Sequence, residues 1–460
     1  MRKSKIIMMT SLIVVVAALF AWVQYRQATK FNANITINET KVGGMTAEQA
    51  LKKLSGTVLK NEVYLGKQQI YNGKNTKMGF TKKDLPHIQQ LLKKQQTFWP
   101  SSKEKEYSIV PGAEDQYRSK ILKHKVKAKL IAMNKNLKAP VDAEARLEQG
   151  KFIVTPSKKG DKYDVAKLMT AYQKQRYNSE IHLKPVLIQP ITAKSPIVNK
   201  EKQRLEKLLQ QTIQYQVQDK VYTLKASELI ENAAISKHMK IKVDSNRIKD
   251  KITEINKLQS TLYKNFTFKT HSGSTITVKG ESYGWAIDEK DEAKMLATAF
   301  AKGKEKVKAE NIYGIGWTTR GTGYQITTNG GIGNTYAEVS IKEQRIWIYQ
   351  EGKLVASSNV VTGRHDTGED TPPGVWYIMY KESPSILQGS EVGNPNYSVK
   401  VQYWAQFTNG GVGFHDASWR SNWTSSAYLH HGSGGCVNTP QSAIKLVYDH
   451  LTQYEPVVVY

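Results

Sequence analysis

The sequence predicts a multidomain protein in which a single N-terminal transmembrane helix is followed by two α+β modules and a mostly β domain. Three observations predict this order. An uncharged apolar run lies near the N-terminus, a strand–glycine–helix pattern occurs twice in the middle of the chain, and alternating apolar and polar residues follow position 335. With 460 residues, the chain has room for roughly three or four domains of about 100–200 residues each.

The apolar run extends from Ile6 to Val23 and contains no charged residue. Its 18 residues would span about 27 Å as a helix, close to the ~30 Å hydrocarbon core of a bilayer. Arg2, Lys3 and Lys5 precede the run, which predicts a cytoplasmic N-terminus. A cleaved signal peptide is the alternative, but its apolar region is usually shorter and no small-x-small cleavage site follows. We therefore predict a cytoplasmic tip and membrane anchor at 1–26, with later residues outside the cell membrane.

The composition indicates a globular, strongly basic protein. Hydrophobic residues make up 39% of the chain, charged residues make up 23%, and the formal net charge is +27. Such a charge favours polyanionic partners: nucleic acid, anionic lipid or an anionic cell-wall polymer. The sequence has no zinc-finger spacing, RNA-binding aromatic signature or basic heptad arm, so we expect no nucleic-acid partner. Anionic wall polymers are the partners that fit an extracellular location.

The first module begins with a strand near Ile35, a Gly-Gly turn and a helix. Thr46 and Gln49 have the spacing of a capping box. One helical face then carries the apolar residues Ala47, Leu51 and Leu54.

A weak internal repeat appears when the chain is shifted by 124 positions. Each copy has a strand, a glycine turn and an aspartate that can cap a following helix. The matched residues are Phe152–Val154 with Ile276–Val278, Gly160 with Gly284, and Asp164 with Asp288. The helical stripes are Val165, Leu168, Met169 and Tyr172 in one copy, and Ala293, Leu296, Ala297 and Phe300 in the other. Between the copies, Ile248, Ile252 and Ile255 predict a further helix after Ser245. We therefore predict α+β modules at 31–190 and 191–325.

The last domain, predicted at 335–460, has the pattern of β-strands. Apolar residues alternate with polar ones from Ala337, and Glu351-Gly352 separates two apolar runs as a hairpin turn would. Residues 381–400 are rich in Gly, Pro and Ser and predict a long surface loop or lid. Thr439 as N-cap and Pro440 as first residue predict a closing helix.

Cys436 is the single cysteine of the chain, so it cannot form an internal disulfide. In a secreted chain such a thiol is inert, bridges to another molecule, or is a reactive nucleophile. Its position in a Gly-flanked loop, three residues before the predicted helix cap, favours the nucleophile. A thiol pointing toward the helix N-terminus would be stabilised as thiolate.

Neighbouring residues complete a candidate catalytic site. His415, 21 residues upstream of the cysteine, is the candidate base or ion-pair partner. Asp416 could orient the histidine ring through its carbonyl or its carboxylate. The backbone amides of Gly434, Gly435 and Cys436 could form an oxyanion hole. Ser433 and Asn438 could hydrogen-bond the loop.

Two short segments carry a family resemblance. Gly413–Asp416 and Ser433–Asn438 resemble the YkuD-type L,D-transpeptidase motif, in which a histidine is followed after a spacer by Ser-His-Gly-Cys-hydrophobic-Asn. The resemblance extends over most of the chain. In the last domain it includes the opening strands, the Thr-Gly and Thr-Pro-x-Gly signatures and the stretch before the histidine. Upstream, the modules resemble peptidoglycan-binding modules of Gram-positive bacteria. These segments are Ala337–Leu354, Val361–Gly363, Thr371–Gly374, Tyr403–Gly410 and Val42–Thr46.

The resemblance implies a YkuD-like β-sandwich with no metal and no cofactor. It implies that Cys436 attacks the L,D bond between the third residue and D-Ala of a tetrapeptide stem, with His415 as base. D-Ala leaves, a thioester acyl-enzyme forms, and an amine of a neighbouring acceptor stem resolves it into a 3→3 cross-link. The implied process is cell-wall peptidoglycan biosynthesis and maintenance of cell shape, and the implied inhibitors are carbapenems.

Gly434 departs from the family pattern, because relatives have His or Arg at this position. His431 is close enough in sequence to substitute for it. Two alternatives follow: an L,D-carboxypeptidase in which water replaces the amine, and a non-catalytic wall-binding protein with a degenerate site. An NlpC/P60-type peptidase has the opposite order of Cys and His.

Overall fold

The computed structural model describes the backbone of residues 2–460 and the side chains from Ile6 onward. The side chains of Arg2, Lys3 and Lys5, on which the predicted helix orientation depends, lie outside the described residues. Within residues 2–460 the helices are α1 Arg2–Thr29, α2 Ala47–Gly56, α3 Leu85–Gln95, α4 Lys123–Asn134, α5 Val165–Lys174, α6 Pro196–Leu209, α7 Ala226–Leu229, α8 Asn246–Gln259, α9 Glu289–Ala301, α10 Ala427–His431 and α11 Gln441–His450.

The strands before the last domain are short. They are β1 Ile35–Ile37, β2 Thr40–Lys41, β3 Val58–Leu59, β4 Glu62–Leu65, β5 Gln68–Asn72, β6 Thr76–Lys77, β7 Lys105–Tyr107, β8 Glu144–Glu148, β9 Lys151–Thr155, β10 Ile181–Leu183, β11 Thr212–Val217, β12 Lys220–Lys225, β13 Ala233–Ile235, β14 Ile241–Val243, β15 Phe266–Lys269, β16 Thr275–Val278, β17 Ala286–Ile287, β18 Lys306–Lys308 and β19 Ile312–Tyr313. The last domain adds β20 Tyr336–Ser340, β21 Arg345–Gln350, β22 Lys353–Asn359, β23 Gly374–Tyr377, β24 Tyr380–Glu382, β25 Ser385–Glu391, β26 Asn394–Val401, β27 Trp404–Gln406, β28 Gly413–Asp416, β29 Val437–Thr439 and β30 Pro456–Val459.

Helix α1 includes Ile6–Thr29, 24 residues that contain an apolar window with a mean hydropathy of 2.6. By length and composition it can cross a membrane, as an anchor or as a signal sequence would.

The chain forms two compact units. The first ends at Ala143 and resumes over Pro156–Ser195, and the second contains Glu144–Thr155 and Pro196–Tyr460. The hairpin β8–β9 therefore joins β13 and β14 in a sheet of the second unit, with the order β14-β13-β8-β9.

The first unit is α+β. It has sheets of order β2-β1-β7 and β10-β4-β5, and a β3-β6 pair. The predicted capping box is present, since Thr46 Oγ1 accepts from the Gln49 N–H and the Thr46 N–H donates to the Gln49 side chain. Asp164 caps α5 as predicted, by accepting from the Lys167 N–H.

The N-terminal part of the second unit is also α+β. Asp288 caps α9 by accepting from the Asp291 N–H, as the repeat predicts. The predicted stripe of α8 is buried at Ile248, Ile252 and Ile255. The sheet β12-β11-β18 lies in this part of the unit.

The C-terminal part is mostly β, as predicted. One sheet has the order β22-β21-β20-β30-β23 and the other has the order β24-β27-β28-β29. A shared core joins both sheets and α11, and its members include Ile346, Phe407, Phe414, Val447 and Val457. The predicted hairpin turn at Glu351-Gly352 connects β21 and β22, with positive φ angles of 49° and 80°.

Two local predictions in this part are wrong. Residues 385–401 form the hairpin β25–β26 instead of a loop. Most of its side chains are exposed, so neither face gives the alternating apolar pattern of a half-buried strand. The closing helix starts at Gln441 with Pro440 as its cap, because Thr439 ends β29 and pairs with Asp416.

Candidate active site

A cavity of about 280 Å³ in the C-terminal part brings together three segments of the chain. These are the hairpin β25–β26, the end of β28 with the loop after it, and the loop that leads into β29. Its walls are Leu387, Glu391, Asn394, Tyr397, Val399, His415, Trp419, Arg420, Gly432, Ser433, Gly434, Cys436 and Asn438.

Strand pairing positions the histidine. In the four-stranded sheet His415 pairs with Trp404 on one side and with Asn438 on the other. The His415 side chain is buried, and its Nδ1 lies 2.9 Å from the carbonyl oxygen of Asp416. Burial is the main cause that lowers the pKa of His415, so the ring is neutral at neutral pH. Since a carbonyl accepts only, Nδ1 carries the proton and Nε2 has the lone pair of a base.

Only one of the two groups suggested for Asp416 contacts the ring. Its carbonyl accepts from Nδ1, whereas its carboxylate Oδ1 accepts the N–H groups of Gln402 and Tyr403 at 2.8 and 2.9 Å. The carboxylate therefore fixes the entry to β27.

Asn438 connects the histidine to an arginine. We assign its amide with nitrogen toward His415, because this orientation satisfies both ends. Asn438 Nδ2 then donates to His415 Nε2 at 3.0 Å, and its oxygen accepts from Arg420 Nη2 and Nε at 2.9 and 3.2 Å. The Nε2 lone pair is thus occupied by Asn438.

Cys436 precedes β29 directly and is partly exposed. Its Sγ lies 3.7 Å from the Gly411 carbonyl oxygen. Burial of the sulfur raises the pKa of the Cys436 thiol to about 11; the Gly413 N–H acts in the opposite direction, and the Glu391 charge raises it further. The expected thiolate is therefore wrong for the free protein. Three residues of strand, about 10 Å, separate the thiol from α11, too far for the helix terminus to stabilise a thiolate.

Hydroxyl groups hold the loop around the thiol. Ser433 Oγ donates to the Cys436 carbonyl at 2.6 Å and accepts from the Gly435 N–H at 3.2 Å. Thr371 Oγ1 donates to the Gly435 carbonyl at 2.7 Å and accepts from the Gly363 N–H at 3.0 Å. Gly435 has φ +117°, which a side chain would strain.

Comparisons with known proteins give two family matches and several similar chains. Residues 334–459 match the profile of the YkuD family, the L,D-transpeptidase catalytic domain, and residues 195–308 match that of a peptidoglycan binding domain. The NMR structure of the catalytic domain of an Enterococcus faecium L,D-transpeptidase acylated by ertapenem is 34% identical, with coverage of 28% of this chain and 97% of that chain and a TM-score of 0.26. This chain belongs to the L,D-transpeptidase family.

Two further solved structures are similar to this chain. A cysteine-to-serine mutant of the Enterococcus faecium enzyme is 24% identical, with coverage of 57% of this chain and 100% of that chain and a TM-score of 0.46. An L,D-transpeptidase from Mycobacterium smegmatis is 21% identical, with coverage of 28% and 58% and a TM-score of 0.25. A comparison with curated proteins gave no match.

Gly434 has a steric explanation in this member of the family. A Cβ atom at this position would lie 2.9 Å from Cβ and 3.4 Å from Oε2 of Glu391. The hairpin therefore fills the space that a side chain would need at this position, where the family motif implies His or Arg. His431 does not replace that residue: it is exposed on α10 and is not among the cavity walls.

Sequence reasoning missed four residues of the site. Glu391 and Arg420 face the cavity, Trp419 stacks on His415 with 5.9 Å between ring centroids, and Thr371 supports the cysteine loop. Of these four, only Thr371 could have been found from the sequence, because it is the first residue of the Thr-Pro-x-Gly signature. Among residues 6–460, no cluster of three or more His, Cys, Asp or Glu could hold a metal ion.

Proposed function

We propose that this protein is a peptidoglycan L,D-transpeptidase that forms 3→3 cross-links through a thioester on Cys436. The observation that carries the proposal is the placement of Cys436 and a neutral His415 on one cavity in a chain of this family. A neutral imidazole is the form that can accept the thiol proton.

In the first half-reaction, the Cys436 sulfur attacks the carbonyl between the third residue and D-Ala of a tetrapeptide stem. The thiol proton moves to His415 Nε2 and then to the departing D-Ala nitrogen. Asn438 Nδ2 occupies Nε2 in the free protein, so the thiol has to displace this donor before proton transfer. The Asp416 carbonyl keeps Nδ1 protonated throughout and stabilises the imidazolium that forms.

The loop before the cysteine supplies donors for the tetrahedral intermediate. The Gly435 N–H already donates to Ser433. The N–H groups of Gly434 and Cys436 are therefore the oxyanion donors we propose.

In the second half-reaction, an amine of an acceptor stem attacks the thioester. The C–S bond breaks, a C–N bond forms, and His415 returns a proton to the sulfur. Attack by water instead gives the L,D-carboxypeptidase alternative. The raised pKa of Cys436 is the observation that favours the non-catalytic alternative, because a neutral thiol is a weak nucleophile.

We further propose that residues 1–26, which include most of α1, form a cytoplasmic tip and an uncleaved membrane anchor, with all later residues facing the cell wall. On this proposal, modules at 31–190 and 191–325 bind peptidoglycan and the domain at 335–460 carries the reaction. The net charge of +27 supports contact with anionic wall polymers.

Intact-mass measurement with a carbapenem tests the nucleophile. We expect one adduct on the wild type and on the control Ser227→Ala, whose residue is exposed on α7, and none on Cys436→Ala. A folded wild type without an adduct would favour the non-catalytic protein.

Product masses from a disaccharide-tetrapeptide separate the two reactions. Dimers with loss of D-Ala support the transpeptidase, and tripeptide alone supports the carboxypeptidase. Dimers formed by Cys436→Ala would exclude Cys436 as nucleophile.

A further inference from the structure

Glu391 is a carboxylate of the active-site cavity that the proposed reaction leaves without a role. It ends β25 and shares the cavity with His415 and Cys436. Within the described residues, its carboxylate makes no hydrogen bond and no ion pair. Its negative charge acts on both Cys436 and Arg420, which places it in the electrostatic environment of the reacting sulfur.

The position of Glu391 is fixed from both sides. The Gly434 backbone lies against it, and the neighbouring Val392 N–H donates to Glu369 Oε1 at 2.7 Å. Glu369 is engaged a second time, because its Oε2 accepts from Thr367 Oγ1 at 2.6 Å. Of these two carboxylates, Glu369 is used to hold the hairpin turn, whereas Glu391 remains available to a ligand.

The charge of this wall is opposite to that of the family pattern. Relatives carry His or Arg where this chain has Gly434, and here the adjoining side chain is an acid. Such a carboxylate disfavours the thiolate and the oxyanion, so it does not help the acylation half-reaction. It does attract an ammonium group, which is the form of a primary amine at neutral pH.

We propose that Glu391 is the acceptor-binding residue, whose carboxylate holds the ammonium group of the incoming stem beside the thioester. This inference rests on the proposed transpeptidase function and adds the location of the acceptor subsite. The ligand class is a primary ammonium on a stem side chain or on a bridge residue.

The proposed subsite accounts for both protons that the acceptor loses. The first leaves the ammonium through Glu391 to solvent, which produces the free amine. The amine nitrogen then attacks the thioester carbonyl, and His415 takes the second proton and delivers it to the departing Cys436 sulfur. The products are the amide, the free thiol and one released proton.

The test compares charged and neutral acceptors at pH 7. Wild type, Glu391→Gln and the control Glu382→Gln, an exposed acid at the hairpin base, react with a saturating tetrapeptide donor. The acceptors are a tripeptide stem with a free side-chain amine and hydroxylamine, which is uncharged at this pH. For Glu391→Gln, we expect the KM of the stem to rise about 10–100-fold, as for the loss of a charge-assisted hydrogen bond. The hydroxylamine reaction should change less than about twofold and carbapenem acylation should not slow, because neither uses an ammonium.

Three results would overturn the assignment: an unchanged KM of the stem, an equal loss with hydroxylamine, or the same effect in Glu382→Gln. Glu369→Gln tests whether the position of the hairpin, and not the charge of Glu391, affects acceptor binding. If it reproduces the Glu391→Gln selectivity, the hairpin position and not the Glu391 charge determines acceptor use.

Binding to inactive protein keeps this inference separate from the proposed function. The Kd of the tripeptide stem is measured on Cys436→Ala and on Cys436→Ala/Glu391→Gln. We expect the double variant to bind the stem more weakly than Cys436→Ala does. This difference would support the subsite even if the wild type formed no acyl-enzyme, a failure that would refute only the transpeptidase function. Equal Kd values for the two variants would refute the subsite without contradicting the proposed acylation of Cys436.

Discussion

At the scale of single residues, the protonation states of Cys436 and His415 determine how the proposed reaction would start. Burial is the largest cause of both shifts: it raises the thiol pKa to about 11 and lowers the imidazole pKa. Both shifts favour the neutral pair over a thiolate–imidazolium pair. In the proposed reaction, the sulfur therefore becomes nucleophilic only as its proton leaves.

Thiol alkylation should report this neutral pair. We expect iodoacetamide labelling of Cys436 to be slow at pH 7 and to rise tenfold per pH unit toward about pH 11, because only the thiolate reacts. Glu391→Gln should label faster at each pH, since loss of the neighbouring negative charge lowers the thiol pKa. Intact mass against time at pH 6–10 measures both rates. A plateau below pH 7 would show a preformed thiolate instead.

Gly434 should tolerate no side chain while Glu391 stays in place. Gly434→Ala puts a Cβ atom 2.9 Å from the Glu391 Cβ, so the hairpin has to move at a cost of about 1–3 kcal/mol. We expect slower carbapenem acylation and a lower Tm. Gly434→Ala/Glu391→Gly removes the opposing Cβ and should recover both. A single variant that behaves as wild type would show that the hairpin yields freely.

The residues predicted from sequence are those whose chemistry and spacing form a local pattern. Cys436, His415 and the loop from Ser433 to Asn438 lie within 24 residues of one another in the chain. Glu391 has no such pattern, because it reaches the cavity only through the fold of the hairpin. The thiol pKa was predicted in the wrong direction because strand β29 separates Cys436 from the helix.

At the scale of elements, the hairpin β25–β26 forms one wall of the candidate active site. Most of its side chains are exposed, so its sequence lacks the alternating apolar pattern that burial of one face creates. Its strands were therefore not predicted. The capped helices were easier to predict, because Thr46, Asp164 and Asp288 each act within one helical turn.

The attachment of this hairpin should depend on Glu369. Glu369→Ala removes the acceptor of the Val392 N–H, a charge-assisted hydrogen bond worth about 1.5–3 kcal/mol. We expect faster hydrogen exchange across Ser385–Val401, with little change in β20–β22. Hydrogen exchange followed by mass spectrometry measures this, and Lys400→Ala, at an exposed position of β26, is the control on the same hairpin. Equal protection in Glu369→Ala and wild type would mean that other contacts hold the hairpin.

At the scale of the whole molecule, one hydrophobic core joins parts of the second unit that match two different families. Phe268 and Val278, from the segment matching a peptidoglycan binding domain, pack with Tyr336, Val375 and Val458 of the YkuD segment. The sequence indicated two separate modules because each has its own strand and helix periodicity. Contacts between residues about 60–190 positions apart leave no periodic signal.

A buried polar contact also joins the two segments. The His271 N–H donates to Glu338 Oε1 at 2.7 Å, and the Tyr460 hydroxyl donates to the same oxygen. Glu338 is fully buried in β20, and burial raises the pKa of its carboxyl group. The His271 N–H, from the other segment, is one of the two donors that satisfy this buried oxygen, so separating the segments would remove one of them. The two segments are therefore expected to unfold as one cooperative unit.

Phe268→Ala tests this cooperativity. Phe268 is fully buried in β15, and its ring centroid lies 5.2 Å from that of Tyr336. Truncation should cost about 3–5 kcal/mol and lower the Tm of a single calorimetric transition that contains both segments. Phe300→Ala, a buried truncation in α9 of the same binding segment, is the matched comparison. If the segments are coupled, Phe300→Ala also lowers the temperature at which the YkuD segment loses hydrogen-exchange protection. Separate transitions, with only the binding segment shifted by Phe300→Ala, would contradict a single unit.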